Sequence, residues 1–157
     1  MKNFERIMKV MVVCWMAAIF MFSAQPADES QKLSDGVSYR LVSVIDSVAH
    51  KNWSDEKKED LAQMIDYPVR KAAHMSEYAF LTLLSFGAVF TKKGKLRYVI
   101  PISITFVYAC TDEFHQLFVD GRAGRFTDVL IDTSGGLIML LIVFTISLAV
   151  SRHKKYN

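Results

Sequence analysis

The chain has 157 residues, 52% of them hydrophobic, a formal net charge of +3 and a positive mean hydropathy of +0.21. That length fits one domain. Its two cysteines, Cys14 and Cys110, exclude a disulfide framework and zinc-ligand spacing, and read as small reduced core residues.

The apolar residues fall into four blocks, with the charges gathered between them. A bilayer core ~30 Å thick needs ~20 helical residues, with ~17 tolerated. The first block, residues 7–23, follows the basic residues Lys2 and Arg6 and contains Lys9, as a signal peptide would. Cleavage after Ala24 would place bulky Phe22 at the third position back, so a retained helix is expected. Segment 24–72 is mixed in charge. Val37, Leu41, Val44, Ile45 and Val48 recur at helical spacing, and Leu61, Met64 and Ile65 continue a stripe. Ser54 suits an N-cap before Asp55 and Glu56. Two short amphipathic helices are expected here, lying on the outer membrane surface or capping a bundle, because 49 residues are thin for an independent core.

Pro68 suits a first helical turn before the second block, residues 73–91. Arg70, His74 and Glu77 follow at i, i+4 and i+7 on one face, and Leu81 and Leu84 continue it. Glu77 then sits ~8 Å inside the apolar block. In the third block, residues 96–114, the face of Tyr108 and Asp112 continues to His115, with Glu113 and Gln116 turned toward a neighbouring helix or loop. The Asp-Gly pair in 119–122 predicts a turn. The fourth block, 128–150, carries a stripe of Asp128, Asp132, Gly135 and Met139, with Thr127 as candidate cap and Asp128 in the first turn. Gly135 and Gly136 permit close helix approach and place Asp132 at an interface.

Lys and Arg counts in short loops set orientation. Lys2, Arg6 and Lys9, the loop Lys92, Lys93, Lys95 and Arg97, and the tail Arg152, Lys154 and Lys155 make ten basic residues against one acid, Glu5. Four spans put all three segments on one side, the cytoplasm. The reading is an all-α, multi-pass cell-membrane protein of one domain with both termini cytoplasmic.

A charge near the bilayer centre costs ~2.5–3.5 kcal/mol on insertion scales. The polar faces should therefore turn toward each other, with Arg70, Arg122 and Arg125 as counter-charge, forming a pocket near the outer leaflet. No Walker or dinucleotide glycine pattern occurs, no cofactor is expected, and no close metal-ligand pattern such as H-E-x-x-H is present. The inner loops suit anionic lipid better than nucleic acid.

Four pieces, "FSAQP" (22–26), "RKAAHMSEY" (70–78), "DEFHQLFVDGRAGRFTDVLID" (112–132) and the following "TSGG", resemble the VanZ-like family of small membrane proteins. The family's first piece is usually "SSQ"-like, where this chain has Ser23-Ala24-Gln25. The resemblance implies an integral membrane protein with no established enzymatic activity. The founding member is associated with resistance to teicoplanin. By residue it points at Arg70, His74, Glu77, Asp112, Glu113, His115, Gln116, Arg122, Asp128 and Asp132, to which the charge argument adds Arg125. The expected role is binding of a lipid-linked envelope precursor or an amphiphilic drug, with guanidinium groups meeting phosphate or carboxylate. The alternative is an enzyme acting on a lipid-linked substrate, with Glu77 or Asp132 as general acid/base and His115 as partner. Ion-coupled transport is disfavoured, because no acid marks a path to the inner side.

Overall fold

Long apolar stretches, residues 10–22 and 137–150, make up much of the first and last elements. The computed structural model describes the backbone of residues 1–156 and the side chains of 1–153, so Lys154 and Lys155 of the basic tail lie outside the described side chains. Five helices follow one another, α1 (Lys2–Ser23), α2 (Ala27–Ala49), α3 (Asp55–Ala88), α4 (Leu96–Gln116) and α5 (Phe126–Tyr156), with no strand among the described residues. The all-α expectation holds. Two helices, α1 and the stretch Phe126–His153 of α5, are long and apolar enough to cross a membrane. At 1.5 Å per residue the 22 residues of α1 reach ~33 Å, about one hydrocarbon thickness.

Segment 24–72 departs from the expected pair of short helices. α2 alone runs 23 residues, starting after Pro26 and ending at His50, whose φ of 49° is left-handed. α3 starts where predicted, with the Ser54 hydroxyl accepting from the Lys57 N–H at 3.4 Å. It does not restart at Pro68 but continues through it for 34 residues. An interior proline costs ~3 kcal/mol or more. The cost is offset because Ala62 and Asp66, just before it, are buried against α2. The apolar stripe of α2 is turned away from the bundle, as in a helix lying on a membrane surface rather than one capping the bundle with that face. Ser38 and Val42 of α2 are buried, while Val37, Leu41, Val44, Ile45 and Val48 stay exposed.

α3 is the hub, packing on α1, α2, α4 and α5. Leu81 and Leu84 are buried as the helix face predicted, in a core with Val12, Ile19, Ala109 and Val129. Gly135 admits the backbone of α3: a β-carbon there would lie 2.2 Å from the Met75 carbonyl oxygen. At Gly136 it would lie 2.5 Å from Thr82 Oγ1, which is itself 2.6 Å from Thr105 Oγ1. α5 begins at Phe126, with the Arg125 carbonyl accepting from the Asp128 and Val129 N–H groups, so Thr127 is not its cap. Asp128 stands in the first turn as expected. Both cysteines are free, but Cys14 is exposed rather than in the core, because α1 turns that side away from the bundle.

Candidate functional site

At the end of the bundle where α4 stops, a loop must return the chain to α5. Gly121 makes the predicted turn, with φ of 68°. The Ala27 N–H donates to the Asp120 carbonyl at 3.2 Å, and Arg122 Nε donates to the Gln25 carbonyl at 3.2 Å. These bonds hold the loop against the α1–α2 turn. Glu113 Oε2 accepts from the Arg125 N–H at 2.7 Å, and Gln116 Nε2 donates to Ser23 Oγ at 3.1 Å and Asp112 Oδ2 at 3.4 Å. Glu113 and Gln116 therefore turn toward the loop and the neighbouring helix, as their positions predicted, and they brace the site.

The predicted face of α3 lines a cavity. Arg70, His74 and Glu77 border a space of about 180 Å³ together with Phe22, Leu33, Val37, Val69 and Arg122. A second space of about 230 Å³ shares Arg70, His74 and Arg122 and adds Tyr67, Lys71, Gln116 and Arg125. The first is mostly apolar. The second is lined by four permanent cations and no carboxylate.

The expected pairing of the arginines with the deep acids does not occur. Arg70 binds Asp66 Oδ2 at 2.9 Å, one turn up the same helix. Glu77 lies seven residues deeper, ~10 Å along the axis, which is beyond easy reach. Lys71 pairs with Asp128 at 2.7 Å. Glu77 has only His74 near it, with Nδ1 to Oε2 at 3.7 Å. Asp66 is a polar node: Gln31 Nε2 donates at 2.9 Å, and the Ser34 hydroxyl also donates to it. Burial raises the Asp66 pKa, but the Ser34 and Gln31 bonds and the Arg70 charge outweigh it and hold the carboxyl below its ordinary range. Burial, and then the Arg70 charge, pull Arg122 below its own ordinary value.

Beneath the cavities lies a layer of buried polar groups. Asp112 and Asp132 are each 3% exposed. Asp112 Oδ1 and the Tyr78 hydroxyl are buried near each other and bond no other group among the described residues. The charges facing Asp132 are Glu113, Asp112, Lys71 and Asp128. Tyr108 donates to the Met16 carbonyl, and the His115 ring packs 4.3 Å from that of Phe20. His115 is thus turned to α1 and makes no hydrogen bond with Glu77 or Asp132, which does not assemble the acid/base pair considered from the sequence. Among the described residues no three His, Cys, Asp or Glu side chains converge as metal ligands.

Three contributors were not singled out in the sequence. Asp66 had a legible signal, since it stands four residues before Arg70, a helical ion-pair spacing. Lys71 had its place beside Arg70. Phe22 and Val37 were named in a motif and a stripe, but nothing showed that they form an apolar wall with Leu33, because that depends on where α2 folds back.

No curated protein and no solved structure matches the chain. The motif resemblance, however, extends over the whole arrangement just described, from the α1 end to the Gly135–Gly136 contact. A family model matches residues 8–148, and the chain belongs to the VanZ/LLP1 family.

Proposed function

We propose that this protein crosses the membrane four times, with both termini in the cytoplasm, and binds an amphiphilic cell-envelope molecule in a pocket at its outer face. The spans are 7–23, 73–91, 96–114 and 128–150, within a single domain. The second and third are more polar than the others; their buried polar residues face the bundle, and exposed Ser76 and Thr111 bond backbone carbonyls of their own helices. Thr82, Ser85, Thr105, Asp112 and Glu113 are buried, whereas Phe80, Leu83, Val99, Phe106 and Phe114 are exposed. The exposed stripe of α2 then lies toward the headgroups of the outer leaflet.

The observation that carries the binding reading is the junction of two unlike cavities. An apolar space and a basic space share Arg70, His74 and Arg122. Their combination suits a molecule with one greasy and one polar end. The bracing groups Asp112, Glu113, Gln116 and Asp128 hold the walls, and Asp132 sits behind them. A teicoplanin-type glycopeptide or a lipid-linked wall precursor fits that description, and altered glycopeptide susceptibility is one consequence of such binding.

The test blocks the apolar space. Ala73 lines it, and Ala73→Trp should fill it. Purified wild-type protein in nanodiscs should retain amphiphiles from an envelope extract, and a folded Ala73→Trp variant should lose them. Unchanged retention by the folded variant would remove this reading.

A further inference from the structure

We infer that the head group taken by this pocket is a phosphate ester bearing two negative charges, with its apolar chain directed along Phe22, Leu33 and Val37. The inference rests on the binding reading above and narrows it. Of the four cations lining the basic cavity, two are already neutralised: Arg70 by Asp66 at 2.9 Å and Lys71 by Asp128 at 2.7 Å. Two are not. Arg122 commits Nε to the Gln25 carbonyl, a neutral acceptor, and the Arg125 side chain forms no ion pair among the described residues. Two guanidinium groups outside any ion pair therefore border a space of about 230 Å³ that no carboxylate lines among the described residues; Asp112 and Glu113 act on Arg122 only at longer range.

The chemistry of the occupant follows by matching charge and shape. A phosphomonoester or diphosphate offers two charges and several oxygens, enough for two planar forks. A carboxylate offers one charge and two oxygens, and would leave one arginine uncancelled. A quaternary ammonium head would meet like charge, and a neutral head would leave the half-buried Arg122 guanidinium without an anion. Burial and the Arg70 charge act on Arg122 and outweigh the opposing charges of Asp112 and Glu113. An anion between them relieves that field. The chain of the ligand has a continuous way out, because Arg70, His74 and Arg122 border both spaces and the first of these spaces is walled by Phe22, Leu33, Val37 and Val69. Free phosphate would satisfy the same arginines, so the test separates the two sources.

The full-length protein in nanodiscs of zwitterionic lipid is titrated with dodecyl phosphate, laurate, dodecanol and inorganic phosphate. Dodecyl phosphate should bind about tenfold tighter than laurate or dodecanol, the scale of one charge-assisted contact. Inorganic phosphate should bind more weakly than dodecyl phosphate. Arg122→Gln with Arg125→Gln should bring dodecyl phosphate down to the affinity of dodecanol and leave dodecanol unchanged. Arg125→Gln alone, at an exposed side chain, should give part of the loss if the double variant does not fold. Equal binding of the three amphiphiles would overturn the phosphate assignment while leaving the pocket reading standing. Loss of all three in the arginine variants would do the same. Inorganic phosphate binding as tightly as dodecyl phosphate would overturn the placement of the chain. No binding of any amphiphile would overturn both readings.

Discussion

The two halves of α3 do different jobs with the same backbone. Residues 75–88 are wedged among α1, α4 and α5, with Tyr78, Leu81 and Thr82 fully buried and two glycines of α5 admitting the contact. Residues 55–74 face α2 through the Asp66 node and border two cavities beside Lys71 and Arg122. The first half is set by shape and the second by charge. Shape contacts in a membrane tolerate almost no added volume, whereas polar contacts near water can open and exchange partners. The comparison teaches that a fixed inner seam can carry an adjustable mouth within one helix.

The comparison is broken most directly at the seam. Gly135→Ala forces α5 away from the Met75 carbonyl, and should destabilise the protein by about 2–3 kcal/mol, read as a fall in Tm in detergent. Gly36→Ala, in α2 with nothing within 4 Å, should raise stability by about 0.5–1 kcal/mol. Similar effects at both glycines would erase the distinction. A smaller effect is expected at the mouth. Asp66→Asn should cost about 1–2 kcal/mol, seen as faster proteolysis of the α2–α3 turn with little change in the seam. The folded pKa of Asp66 is depressed below its ordinary 3.8, so its contribution is complete above that value. It is lost as pH falls through the lower folded value, and α2 should loosen only in strong acid. Acid loosening that persists in Asp66→Asn would assign it to another group. The smallest effect belongs to Thr82→Val. It removes the bond to Thr105 and should cost about 0.6 kcal/mol, as interhelical hydrogen bonds in membranes usually do.

Much of the inner seam was legible in the sequence, because helix-face arithmetic depends on local spacing alone. Arg70, His74 and Glu77 do share a lined face, and Leu81 and Leu84 do continue it into the core. The small-residue contact at Gly135 was legible for the same reason. What failed was long-range. The stripe of Val37, Leu41, Val44, Ile45 and Val48 fitted a helix on the membrane surface or one capping the bundle, and it did not reveal that α2 docks through Ser34, Ser38 and Val42. Apolar periodicity tells one side of a helix from the other, not protein from lipid surface. Pro68 read as a helix start because the packing that offsets its cost lies 30 residues earlier in the chain, around Ser38. Arg70, expected to balance charge across helices, pairs instead with Asp66 one turn away in its own helix.

The account depends on the mouth of the bundle facing out of the cell. In a background with Cys14 and Cys110 replaced by serine, a single cysteine is placed at exposed Ala123, beside the basic cavity, or at exposed Lys93, in the α3–α4 turn. Intact cells are then treated with a membrane-impermeant maleimide. The account predicts that Ala123→Cys is labelled at once and Lys93→Cys only after permeabilisation. Labelling of Lys93→Cys from outside, with Ala123→Cys protected, would place the pocket in the cytoplasm and contradict it.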